Sequence, residues 1–201
     1  MPRDVLILAT KYDPATARTF EWAKDLQGKL FPYVDSCFFV EVTGLCRAGQ
    51  TLNEFLTIAT HVIFYGHGEA NWWTALPGNP DTELIGSGTV QMLGNHKVYA
   101  VCCSSLSGLG TIHSQKCNGS YVGYDNRFRF DFDNEAEFKQ IVNQSAFNFV
   151  ITGNVVQVVT DLKNEWARLA NDFAGPLKLR KSAVMAGSFA RSNGQRIGSR
   201  P

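Results

Sequence analysis

The chain has 201 residues, a formal net charge of +1, 44% hydrophobic residues and 18% charged residues. That composition fills one globular core and excludes a disordered polymer. The 19 basic residues are scattered and form no stripe that would grip nucleic acid or an anionic membrane surface. No stretch reaches the ~20 apolar residues that cross a bilayer. The opening Met-Pro-Arg-Asp has no apolar segment of signal-peptide length, so the expected location is the cytoplasm. Five cysteines, Cys37, Cys46, Cys102, Cys103 and Cys117, are an odd number and read as reduced thiols. None has the spacing of a zinc site, and no metal or other cofactor is expected.

In chain order, Val5 to Thr10 is a continuous apolar run, as in a strand covered on both faces. Asp13-Pro14 punctuates it, and Pro14 opens a helix with Phe20, Ala23, Leu26 and Leu30 on one face. Cys37 to Val42 is a second strand. Thr51 to Ala59 is a short helix with Leu52, Phe55, Leu56 and Ala59 aligned. Val62 to Tyr65, Val98 to Cys102 and Tyr121 to Tyr124 supply three more strands. From Glu69 to Gly94 the Gly- and Pro-rich sequence predicts a long loop and a short helix. Beyond Asn134 a helical period runs through Phe138, Ile141, Val142, Ala146 and Phe149, then Val156, Val159, Leu162, Trp166, Leu169 and Phe173. Gly153-Asn154 divides it into two helices. About 175–201 receives no elements, and its basic residues (Lys178, Arg180, Lys181, Arg191, Arg196, Arg200) read as a solvated segment.

Strands alternating with helices predict a single α/β domain over 1–201, a mainly parallel sheet with helices on both faces. Ligands of such sheets gather beyond the carboxyl ends of the strands. Two of the apolar strands end there on chemistry: one runs into Gly66-His67-Gly68, the other into Cys102-Cys103-Ser104-Ser105. A thiol has an ordinary pKa of ~8.5 and needs a base near neutral pH. An imidazole supplies one, and the pair is the working core of a cysteine hydrolase. The glycines beside His67 let the chain turn off the strand and leave room for a substrate. The amides of Gly68 and Cys103 are placed to receive a developing oxyanion. No residue in the sequence stands out as a third partner to orient His67. His113 reads as a surface histidine, and His61 and His96 as structural ones at the opposite edge. Trp72-Trp73 reads either as a binding surface or as one ring packed in the core.

These motifs together resemble the caspase-like cysteine peptidases, the group of caspases, metacaspases, legumain, gingipains, separase and CHAT-domain proteases. Phe64-Tyr65-Gly66-His67-Gly68 is similar to their histidine motif, and Cys102-Cys103-Ser104-Ser105 to the metacaspase Cys-Cys-His-Ser string. The resemblance covers about residues 1 to 125. It implies a caspase-like fold and a cysteine endopeptidase with His67 as base and acid and Cys103 as nucleophile, acting through a thioester. The family's small residue before the nucleophile and Ser two after it fit Cys103; Cys102, preceded by Val101, is the alternative and is assigned to the core. Val101 stands at the substrate-floor position where metacaspases carry an acid, and Leu106 where a Gly often follows. Asp125 occupies a place similar to the family's specificity segment, or else caps a turn. A basic side chain before the cleaved bond would suit a partly buried Asp125. The implied partners are a protein or peptide substrate and a larger assembly, with no nucleic acid and no membrane. A catalytically inactive caspase-like binding or regulatory module is the alternative to the peptidase.

Overall fold

The structure, a computed structural model, describes residues 2–42, 50–75, 83–174, 190, 193–194 and 197–200. Its elements in order are β1 (Asp4–Thr10), α1 (Pro14–Leu30), β2 (Ser36–Val42), α2 (Gln50–Ile58), β3 (His61–Tyr65), β4 (Gly68–Glu69), β5 (Trp72–Thr74), β6 (Glu83–Gly86), β7 (Lys97–Val101), α3 (Thr111–Lys116), β8 (Tyr121–Tyr124), α4 (Glu135–Thr152), α5 (Val155–Ala174) and β9 (Ile197–Arg200). Six strands form one sheet in the order β2-β1-β3-β7-β8-β9. Every neighbouring pair is parallel except β8 with β9.

Side-chain alternation along the strands divides the interior in two. Val5, Ile7, Ala9, Ile63, Tyr65, Tyr99 and Val101 face a core closed by α1, α4 and α5. Leu6, Leu8, Val62, Phe64, Val98, Ala100 and Cys102 face the opposite core, with Leu52 and Leu56 of α2. The continuous apolar strands are thus explained by burial on both faces. In the first core Tyr65 donates to Asn143 Oδ1 (2.8 Å), and Asn143 Nδ2 donates to the Trp22 carbonyl (2.7 Å). This buried chain ties the end of β3 to α4 and α1.

Helix boundaries follow local chemistry. Asp13 caps α1 with a reciprocal Thr16 bond, and Pro14 takes the first turn. Gly153 ends α4 at φ +64, in the left-handed region that glycine enters without cost.

Four sequence expectations are corrected here. The stretch 69–94 carries a three-stranded antiparallel sheet, β4-β5-β6, and a 3-10 turn at Val90–Leu93; the residues 76–82 lie outside those described. Val156 is 74% exposed, and Val155 and Val158 pack against the core in its place. His113 is fully buried beside Tyr121, and burial pushes its imidazole down to about 4. The end of the chain is not simply a solvated segment: Ala190 and Asn193 are buried, and 197–200 forms an edge strand. Lys178, Arg180, Lys181, Arg191 and Arg196 lie outside the described residues. Among those described, no helix is long and apolar enough to cross a membrane.

Successive side chains of a strand face opposite ways, which settles Trp72-Trp73. Trp72 is on the open side of β5, whereas Trp73 is buried, stacked on Phe64 at 4.6 Å and donating from Nε1 to the Tyr121 hydroxyl (2.9 Å). Trp73→Ala should cost about 3–5 kcal/mol by urea denaturation, the range for deleting a buried aromatic ring. A loss below ~1 kcal/mol would show that the small sheet is not part of the core.

Candidate active site

Beyond the ends of β1, β3 and β7, three side chains meet. His67 Nε2 lies 2.6 Å from Asp13 Oδ2. The Cys103 side chain lies near the same ring and is the largest influence on its protonation. The Cys103 thiol donates its hydrogen to the Phe128 carbonyl at 3.8 Å. His67 and Asp13 are 41% and 32% exposed at their side chains, so the group opens to solvent.

Asp13 is the partner that sequence reading missed. Its carboxylate is shared: Oδ1 accepts from the Thr16 amide (2.8 Å) and hydroxyl (3.0 Å), and Oδ2 faces His67. Burial works against its charge, but the Thr16 amide and then His67 outweigh it and hold the carboxyl below its ordinary 3.8. An ionised carboxylate only accepts, so Nε2 carries a proton facing it, and in the neutral ring Nδ1 is left as the acceptor. The cap signature Asp13-Pro14-x-Thr16 was visible in the sequence; its distance of 54 residues from His67 hid the second role.

The neighbouring Cys103 side chain, opposed by burial and helped by Asp13, raises His67 above 6.5. Protonation of His67 therefore stabilises the fold fully below pH 6.5 and is lost as pH rises through the raised value. Asp13 contributes above 3.8 and is lost as pH falls through its depressed value. Between those limits the two form an ion pair. The Tyr12 ring lies 5.6 Å from the His67 ring, tilted by 37°.

Burial raises the other described thiols. Cys102 is 1% exposed and belongs to the core, and burial pushes it far above the ordinary thiol range. Burial pushes Cys37 up to about 11 and raises Cys117 as well. Cys46 lies outside the described residues.

Two loops clamp the Cys103 turn. Gly68 packs so closely that a Cβ there would meet Cys102 Sγ at 2.8 Å and the Cys103 carbonyl at 3.0 Å. From the β4–β5 turn, the Ala70 carbonyl accepts from the Leu109 amide at 2.5 Å, on the π-helical turn Leu106–Gly110. The bond from the Thr74 amide to the His67 carbonyl (3.0 Å) makes Gly68–Trp73 a non-hydrogen-bonded pair. The Gly68 N–H is therefore outside that ladder and points away from β5. On the other side, the Ser104 amide donates to the Asn126 carbonyl (2.8 Å), and Ser104 itself sits at φ +54.

The other candidates separate. Val101 is 1% exposed and packs in the core, which corrects its placement in a substrate floor. Asp125 follows β8 near the site but is exposed rather than partly buried. Trp72 is 37% exposed. His61 and His96 lie at the opposite edge, His61 beginning β3 and His96 preceding β7. Among the described residues, no three His, Cys, Asp or Glu side chains are grouped to hold a metal ion.

No protein-family model matches the chain, and no curated protein matches its sequence. Solved structures do. The Arg-specific cysteine proteinase gingipain R is 13% identical with a TM-score of 0.52, over 96% of this chain and 45% of that one. A complex of the pro- and mature domains of RgpB from Porphyromonas gingivalis is 12% identical with a TM-score of 0.48, over 81% and 44%. The chain thus spans less than half the length of either. Its mainly parallel six-stranded sheet with flanking helices is a caspase-like fold.

Asp13→Asn keeps a good helix cap and removes only the charge. It should lower the His67 pKa toward or below 6.5, read from the ring protons by NMR titration. An unchanged titration would mean that the Asp13 contact does not hold the imidazolium.

Proposed function

We propose that the protein is a cysteine endopeptidase acting on protein or peptide substrates. The observation that carries this reading is the imidazole of His67 hydrogen-bonded to the Asp13 carboxylate at 2.6 Å, with the Cys103 side chain near enough to govern its protonation. His67 Nδ1 takes the thiol proton, and Cys103 Sγ forms a bond to the substrate carbonyl carbon. The carbonyl oxygen gains the negative charge and is received by the Gly68 and Cys103 amides. His67 then protonates the leaving amine as the C–N bond breaks, giving a thioester. Water, deprotonated by His67, attacks that thioester, and the C–S bond breaks to restore the thiol. Asp13 touches no reacting atom; it holds the ring in the tautomer this sequence needs.

A second reading, an inactive binding or regulatory module, is favoured by one observation: with Val101 buried and Asp125 exposed, neither forms a charged specificity floor. The two readings part on turnover. Products from a denatured proteome, mapped by mass spectrometry, should show cleavage that disappears with Cys103→Ala. Uncleaved substrates with the wild-type chain would leave the module standing.

Cys103→Ala should abolish cleavage with the thermal midpoint moved by no more than a few degrees. Cys102→Ala should cost about 1 kcal/mol and keep most activity. The reverse pattern would assign the nucleophile to Cys102. His67→Ala should lower kcat by ~10²-fold or more and slow alkylation of Cys103 by iodoacetamide. Equal alkylation rates in the two proteins would separate His67 from Cys103.

Asp125 sits in water, where a charge pair is screened. Asp125→Asn should reduce cleavage after Arg or Lys more than after neutral residues, but by no more than about fivefold. Product maps showing Asp or a small apolar residue before the cut bond would remove Asp125 from specificity and leave the dyad untouched.

A further inference from the structure

At the edge of the sheet opposite Cys103 there is a cavity of about 490 Å³, lined by the start of β1, β3 and β7 and by the carboxyl end of α4. Its titratable and charged lining residues are Arg3, His61, His96 and Lys97, and no Asp or Glu is among the residues that line it. The nearest carboxylates bond to neutral donors and not to the cationic groups: Asp4 accepts from the Ser36 hydroxyl (2.6 Å), and Asp35 from the Arg3 main-chain amide (2.6 Å). Among the described residues, neither Arg3 nor Lys97 forms an ion pair.

One local task is visible for these cations. Arg3 Nη2 donates to the Ile151 carbonyl at 3.1 Å, and Lys97 Nζ approaches Gly153 at the end of α4. A helix terminus offers only about half a negative charge. That is less than either cation's full charge, and neither is in direct contact with a carboxylate among the described residues. Beside them, burial first, then Lys97, Arg3 and His96, push the His61 imidazole down to about 4, and its buried Nε2 has no hydrogen-bond partner.

We propose that this cavity binds a small anion bearing a phosphate group. Two fixed cations call for two negative charges, which a phosphate carries on one centre, whereas a monocarboxylate leaves one cation unmatched. Thr60 and Asn95 add polar groups to the wall, and the volume lies in the range of small-molecule sites. The inference is independent of the peptidase reading.

Calorimetric titration of the whole chain with inorganic phosphate and with pyrophosphate, at pH 7.5 and low fixed ionic strength, tests it. One-to-one saturation is expected with both, and acetate should not compete. Lys97→Gln should weaken binding at least tenfold, Arg3→Gln likewise, and Lys97→Arg should restore it. Circular dichroism checks that each variant is folded. Absence of saturable heat in the wild type, equal competition by acetate, or unaltered affinity in folded Lys97→Gln and Arg3→Gln proteins would overturn the site. The last result would reduce the two cations to caps of α4.

Discussion

The site depends on the pairing register of β3 with β7. His61 pairs with Lys97 and Tyr65 with Val101, an offset of 36 residues in each case (97 − 61 and 101 − 65). His67 and Cys103 are separated by the same 36 residues (103 − 67). Extending the ladder two steps therefore sets the two side by side, with the Gly66 amide bonded to the Val101 carbonyl (3.3 Å) on the way. Two steps also preserve the face: Tyr65 and Val101 share the core under α1 and α4, and their successors by two point to that side. A one-residue slip would send Cys102 to the site and bury Cys103. Burial of both faces of β3 and β7 is what prevents the slip.

Most of this frame was legible in the sequence because it rests on continuous apolar runs. The strands at Val5, Val62, Val98 and Tyr121, and the break at Gly153 between two helices, all appear within a residue or two of the expected positions. Cys102 in the core and Cys103 at the open edge follow from the same alternation. Features set by distant contacts were hidden. Asp13 reads locally as a helix cap, and only the fold brings its second oxygen to His67. His113 looks like any polar residue of a short helix, yet packing against Tyr121 buries it completely.

The small sheet was missed for a different reason. Its strands are two to four residues long, and Gly- and Pro-rich sequence separates β5 from β6, so no period registers. Adjacent tryptophans were the available signal, since a strand sends one ring inward and the other outward. At the far end, β9 runs antiparallel on β8 and closes the sheet with a four-residue strand, Ile197-Gly198-Ser199-Arg200. A strand that short and that rich in small and polar residues has no apolar pattern to declare it.

Ser104 shows what the arrangement costs. A non-glycine residue at φ +54 is strained by roughly 1–3 kcal/mol and persists only where its surroundings over-determine it. They do so from two sides. The Asn126 carbonyl holds its amide, and two residues on, the Phe128 carbonyl receives the Cys103 thiol. Across the site, Gly68 presses on Cys102 and Cys103, and Ala70 on the turn that follows. The turn is thereby fixed with its one partly exposed thiol toward an imidazole whose own tautomer is fixed by Asp13. A surface used only for docking needs neither the strain nor the tautomer, whereas proton transfer from sulfur to nitrogen needs both atoms held in place. That difference is the physical ground on which the proposed peptidase reading rests against a binding module.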